Sequence, residues 1–190
     1  MWDNGDAPVH IIDHGVLIPP GVRYSGERPE GIVVVNHLQQ RGRRLGADVF
    51  EQVRQQVPLQ LVGMDSGRMG GLGEVGNLDL AAAMAQYRFF FNPIRYTSLG
   101  LAVIEAMMVG LPIIGLATTE LSTVIRNGEN GWIDTRIDKL VEVMNMLVHE
   151  PEVARRWGEA ARQTAMARFN IPRFAADWDR VLTQVAGGAR

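Results

Sequence analysis

Glu105 is the residue whose setting most demands a chemical explanation. It is the only charged residue between Arg95 and Glu120. Its neighbours over positions 101–109 are otherwise Leu, Ala, Val, Ile and Met. A carboxylate among apolar side chains is costly unless something pairs with it or hydrogen-bonds to it. It therefore either caps a neighbouring loop from inside or accepts hydrogen bonds from two ligand hydroxyls, as a ribose offers. Just upstream, residues 93–100 read as a strand end turning into a helix. The unpaired N–H groups of such an N-terminus attract phosphate. Ser98 is a fair cap and Gly100 permits close approach, so Thr97, Ser98, Leu99 and Gly100 are candidate phosphate or sugar contacts.

A second concentration of chemistry is Arg41-Gly42-Arg43-Arg44. It follows the first strong strand and precedes a helix. Guanidinium groups match phosphate oxygens in pairs. The trio is either a solvated basic loop or a diphosphate clamp, and its place at a strand's carboxyl end favours the clamp. His37 stands at the same strand end and is a candidate to face the ligand. The other histidines, His10, His14 and His149, have no metal-ligand spacing, so no metal is expected. Gly71-Leu72-Gly73-Glu74-Val75-Gly76 matches the dinucleotide fingerprint. It follows the second clear strand rather than the first, and no acid lies about 20 residues on. The segment reads better as a loop lining a base pocket.

The elements that must carry these residues alternate in period. β-branched or apolar runs at 31–36, 59–63, 89–91, 112–116 and 132–133 read as strands. Helical periods fall at 47–57, 78–86, 100–109 and 137–148. Two more follow Pro151 and Asn170. Phe174, Trp178, Val181, Leu182 and Val185 make an inner face for the last of them. Strands without polar alternation, separated by helices, predict a doubly wound, Rossmann-like α/β fold with a parallel sheet. Such sheets bind ligands beyond the carboxyl ends of their strands.

Composition narrows the partners. A chain of 190 residues suits one domain, and 46% hydrophobic residues suffice for a core. A formal charge of −2 gives no field for nucleic acid. No apolar run reaches the roughly 18 residues of a membrane span. The absence of cysteine excludes disulfides and fits a cytoplasmic location.

The residues from 91 to 133 also carry a family likeness. Asn92-Pro93, Ser98-Leu99-Gly100-Leu101, Glu105-Ala106-Met107, Gly110-Leu111-Pro112, Asn127-Gly128 and Asn130-Gly131 together resemble the signature of family 4 glycosyltransferases. Asp13-His14-Gly15-Val16 resembles the family's approach to the same domain. The resemblance implies one half of a GT-B architecture. Residues 1–190 would form the nucleotide-sugar-binding C-terminal domain, with the N-terminal acceptor-binding domain as its missing partner. It implies a retaining transfer from a UDP-sugar or GDP-sugar, with no cofactor or metal.

In that likeness Glu105 matches the second glutamate of an E-x7-E motif, which holds the ribose hydroxyls. Ser98, Leu99 and Gly100 match the backbone that meets diphosphate and sugar. Arg41, Arg43 or Arg44 matches the basic residues after the first strand, where His37 replaces a usual arginine. Thr97 stands in place of the first glutamate, which contacts the transferred sugar. A threonine supplies no charge there. Two other readings remain: a non-catalytic nucleotide-sugar-binding module of the same fold, and an NAD-binding oxidoreductase domain resting on the glycine fingerprint.

Overall fold

The computed structural model describes residues 5, 8–118 and 120–187. Five strands form one parallel sheet: β1 (Arg28–Val34), β2 (Leu59–Val62), β3 (Tyr87–Asn92), β4 (Ile113–Leu116) and β5 (Gly131–Asp134). Their spatial order is β2-β1-β3-β4-β5. The chain runs outward from β1 to β2, then returns to the other side of β1 with β3. The order therefore reverses at β1, which makes a crevice above its carboxyl end.

Eight α-helices connect or follow the strands among the described residues: α1 (Leu38–Arg41), α2 (Ala47–Val53), α3 (Asn77–Met84), α4 (Leu101–Val109), α5 (Leu121–Val124), α6 (Ile137–His149), α7 (Pro151–Arg168) and α8 (Ile171–Gly187). Both faces of the sheet are covered, which explains the unbroken apolar runs. Successive strand residues point to opposite faces. Ile32, Phe90 and Ile113 thus join one core with α3, α4 and Ala161 and Ala165 of α7. Val33, Phe89, Phe91 and Ile114 join the other with α2, α6 and Trp157. Phe89, Phe90 and Phe91 are buried. Each is worth about 1.5–3 kcal/mol of transfer free energy.

The helix most relevant to chemistry, α4, is apolar on nearly all sides and lies in the first core. Gly110 ends it at φ 107°, a left-handed conformation that glycine adopts without steric cost. α7 crosses that end so closely that a Cβ on Gly158 would lie 2.0 Å from the Gly110 carbonyl oxygen.

Three local expectations are corrected. Gly100, not Ser98, is the N-cap of α4, and no side chain caps it. Ile11-Ile12, an apolar pair that reads as a strand between His10 and His14, forms none. The stripe of α8 is not an inner face: no residue of α8 is buried, and Trp178, Leu182 and Val185 are exposed. Among the described residues, hydrogen bonds tie the helix to the rest of the domain at its start. Asn170 Oδ1 accepts from the Arg173 N–H at 2.8 Å, and the Arg173 guanidinium donates to the carbonyls of Asp13 and His14. A helical period reports amphipathicity, not what covers the apolar side. No described helix is long and apolar enough to cross a membrane.

Candidate functional site

The carboxyl ends of β1 and β2 are stitched together. Asn36 Oδ1 accepts from the Met64 N–H at 2.9 Å, and the His37 N–H donates to the Met64 carbonyl at 2.8 Å. The His37 Nδ1 then meets Asp65 Oδ2 at 2.8 Å. That hydrogen bond, with the Arg68 charge adding to it, holds the Asp65 carboxyl below the usual carboxylate range. His37 and Asp65 are the only non-glycine described residues with positive φ, at 55° and 61°. Such backbone persists only where its surroundings enforce it. His37 was a candidate to face the ligand. Its ring is engaged with Asp65, and it lines neither cavity described next.

Above these strand ends lies a cavity of about 510 Å³. Its floor is Val34, Asn36, Val62, Gly63 and Met64. Leu101, Ala102 and Glu105 of α4 line it as well, with Glu74 and Val75 and with Asn77 and Leu80 of α3. A smaller space of about 250 Å³ shares Val34, Asn36, Leu101 and Ala102 with it and adds Arg41, Asn92, Thr97 and Gly100. The two form one groove along the start of α4.

The groove has the features of an anion site at one end. With no capping side chain and no acid in its first turn, α4 leaves the first N–H groups unpaired where Leu101 and Ala102 meet both cavities. Four residues further along the same face stands Glu105. It is half-buried, and burial raises its pKa with no opposing hydrogen bond or charge. It therefore does not cap a loop among the described residues, and its oxygens are open to a ligand's hydroxyls. By contrast α3, the helix after the glycine fingerprint, carries Asp79 in its first turn. A pyrophosphate there would meet a like charge.

The arginine trio does not converge. All three are exposed; Arg41 lines the smaller space, whereas Arg43 and Arg44 line no part of the groove. The cause is Arg95. Its guanidinium holds Asp48 in a two-pronged ion pair at 2.6 and 2.9 Å. This contact holds the Asp48 carboxyl below its usual range. The same Arg95 ties down the backbone of the preceding loop, donating to the carbonyls of Arg43 at 2.9 Å and Arg44 at 3.3 Å. Both residues thus spend their main chains on Arg95. Arg43 itself lies 3.7 Å from Asp48.

The stretch 97–100 is also divided. Thr97 and Gly100 face the groove. Ser98 and Leu99 line a separate cavity of about 460 Å³ with Asp13, Glu120 and Arg168. Sequence reasoning missed Asn36 and Glu74. Asn36 carried the signal of a polar residue closing a β-branched run. Glu74 carried none beyond its place in the glycine segment, of which Glu74 and Val75 line the cavity. Among the described residues no group of three or more His, Asp or Glu could hold a metal ion.

The fold and groove define a class, a doubly wound α/β domain with a ligand crevice at its topological switch point. Residues 70–164, half of the chain, match the family of glycosyl transferases group 1. The chain belongs to that family. It is 31% identical over 88 residues to the trehalose synthase of Pyrococcus horikoshii, covering 46% of this chain and 21% of that protein. It is 25% identical over 116 residues to the N-acetyl-alpha-D-glucosaminyl L-malate synthase of Bacillus anthracis, covering 60% and 30%. The matched stretches thus cover less than a third of those relatives' lengths.

Among solved structures, the sucrose-phosphate synthase of Thermosynechococcus elongatus superposes with a TM-score of 0.74 at 21% identity. That match covers 84% of this chain and 46% of the other. The C-terminal domain of the group 1 glycosyl transferase LpcC of Francisella tularensis superposes at 0.60 and 11% identity, covering 79% of this chain and 97% of that one. The fold is therefore that of a C-terminal GT-B domain.

Proposed function

We propose that this chain is the donor-binding domain of a retaining, family 4 type glycosyltransferase that uses a nucleoside-diphosphate sugar without a metal. The observation that carries this is the start of α4. Uncapped N–H groups at Leu101 and Ala102 open on the groove, and the half-buried, unpartnered Glu105 lies one turn along on the same face. A diphosphate fits the first feature and a ribose diol the second. Arg41 adds charge at the phosphate end. These groups hold the leaving diphosphate as negative charge builds on it, which is the electrostatic part of catalysis. Solved structures of TarM and of the pneumococcal O-GlcNAc transferase GtfA, which share the fold, are complexes with UDP, and this supports a nucleotide as ligand.

In this proposal the acceptor is held by a second, N-terminal domain across the groove, because transfer needs both substrates at contact distance with water excluded. The chain alone binds donor nucleotide and transfers nothing. Adding the separately expressed N-terminal domain to the chain, a donor sugar and a panel of acceptors restores transfer. Robust transfer by the chain alone would refute the division of labour. Thr97 favours one rival, a binding module without turnover, since it brings a hydroxyl and no charge to the groove. Continued absence of transfer and donor hydrolysis after the domains are combined would favour that rival.

Among the arginines, Arg41→Ala is expected to weaken nucleoside diphosphate binding by about tenfold, the loss of one charge-assisted contact. Arg43→Ala and Arg44→Ala should leave it within about twofold, because exposed charges away from the groove are screened. Titration of the three variants decides between Arg41 alone and the trio.

A further inference from the structure

Glu74 lines the larger cavity, as Glu105 does. It is exposed, and among the described residues no hydrogen bond or salt bridge engages its side chain. The backbone groups of Glu74 and Val75 also form no hydrogen bond there. The loop carrying them is nonetheless fixed just before this point. Gly73 donates to Ser66 Oγ at 2.9 Å and accepts from the Gly63 N–H at 2.9 Å, and Ser66 is buried. Free polar groups on an anchored loop, in the wall of a cavity, are suited to recognising a ligand edge.

The direction of a bound nucleotide follows from α4. Phosphates sit over Leu101 and Ala102, and the ribose is about 6 Å along the helix at Glu105. The base is then left the wall that Glu74, Val75, Asn77 and Leu80 contribute. Val75 and Leu80 offer an apolar surface to the flat ring. Val75 is half-buried and packs on the core, so that surface is fixed. Glu74 is the one charged side chain on this wall.

We propose that Glu74 selects guanine, so that the donor is a GDP-sugar; this rests on the nucleotide-binding role proposed above. A carboxylate is acceptor-only. Guanine presents two adjacent donors, N1–H and the N2 amino group, which the two carboxylate oxygens accept together. Its O6 can then take a free backbone N–H of the same loop. Uracil has a single donor, N3–H, flanked by two carbonyl oxygens. Adenine has one amino group beside the bare N1 acceptor. Either base sets a lone pair against the carboxylate, and unlike guanine neither satisfies both of its oxygens.

The test is calorimetric titration of the 190-residue chain and of Glu74→Ala with GDP, UDP, ADP and inosine diphosphate. Glu74 is exposed, so the variant should fold, and an unchanged thermal midpoint checks it. GDP should bind the parent at least about tenfold more tightly than UDP or ADP. Inosine diphosphate, which lacks the N2 amino group, should fall between. In Glu74→Ala the GDP affinity should drop about tenfold, the inosine deficit should vanish, and UDP should be unaffected. Tighter binding of UDP or ADP than of GDP, or an equal loss of all nucleotides in the variant, overturns the base assignment and leaves the nucleotide site standing. Absence of binding by every diphosphate overturns the site itself, and the base assignment with it.

Discussion

Gly158→Ala is expected to destabilise the chain by about 2–3 kcal/mol, the cost of overpacking a close-packed contact. The position is inside α7, where alanine has the better helix propensity by roughly 1 kcal/mol. In an exposed helix the change would therefore stabilise. Here the added methyl carbon would fall 2.0 Å from the Gly110 carbonyl oxygen and 3.3 Å from Pro112 Cδ. The nearer atom is backbone and cannot rotate away, so α7 must move off the end of α4. That loosens the apolar contact that Ala161 and Ala165 share with Ile104, Met107 and Met108. The far end of α4 forms the groove wall, so nucleotide affinity should fall as well. Urea unfolding with an unchanged slope and a lower midpoint checks the first part. A midpoint at or above that of the parent would show that the two helices are not locked at this point.

Glu105→Gln is expected to weaken nucleoside diphosphate binding by about tenfold, the size of a lost charge-assisted contact. A 2′-deoxy nucleotide should lose the least. The same change should stabilise the free chain at neutral pH. Burial raises the Glu105 pKa, so the folded chain holds that proton more tightly than the unfolded one. The stability associated with it is present at low pH and is lost as pH rises through the raised pKa. At neutral pH the ionised carboxylate is therefore a burden that the amide removes. Opposite signs for stability and affinity mark a residue kept for its ligand, whereas an internal cap would lose both. Affinity in the parent should also weaken as pH falls through the raised pKa, a dependence absent from the glutamine variant. If the variant distinguishes ribose from deoxyribose as the parent does, Glu105 has no ribose to hold.

The parts of this molecule that local sequence encodes were legible without coordinates. Strands such as 89–91 are apolar on both sides because both sheet faces are covered, and that leaves an unmistakable run. Glu105 stood out because one charge in an apolar helix breaks the pattern that burial imposes. The less legible features were set by contacts between distant residues. Arg43 and Arg44 look like clamp residues, but Arg95, about fifty positions on, sets the loop that carries them, and they line no part of the groove. His37 looks ligand-facing until Asp65 takes its ring. The stripe on α8 has a clear period, yet a period does not say whether any surface is there to meet it. Glu74, exposed in a glycine-rich loop, gains meaning only from the wall it shares.

The central claim is that a nucleoside diphosphate lies along the start of α4. It is tested most directly by following the backbone amide resonances of the chain as GDP is added. The Leu101 and Ala102 amides should shift most, as uncapped donors taking up phosphate oxygens, with Asn36, Gly63 and Val75 following along the groove. Shifts confined to the cavity of Asp13, Glu120 and Arg168, with Leu101 and Ala102 unmoved at saturation, would contradict it.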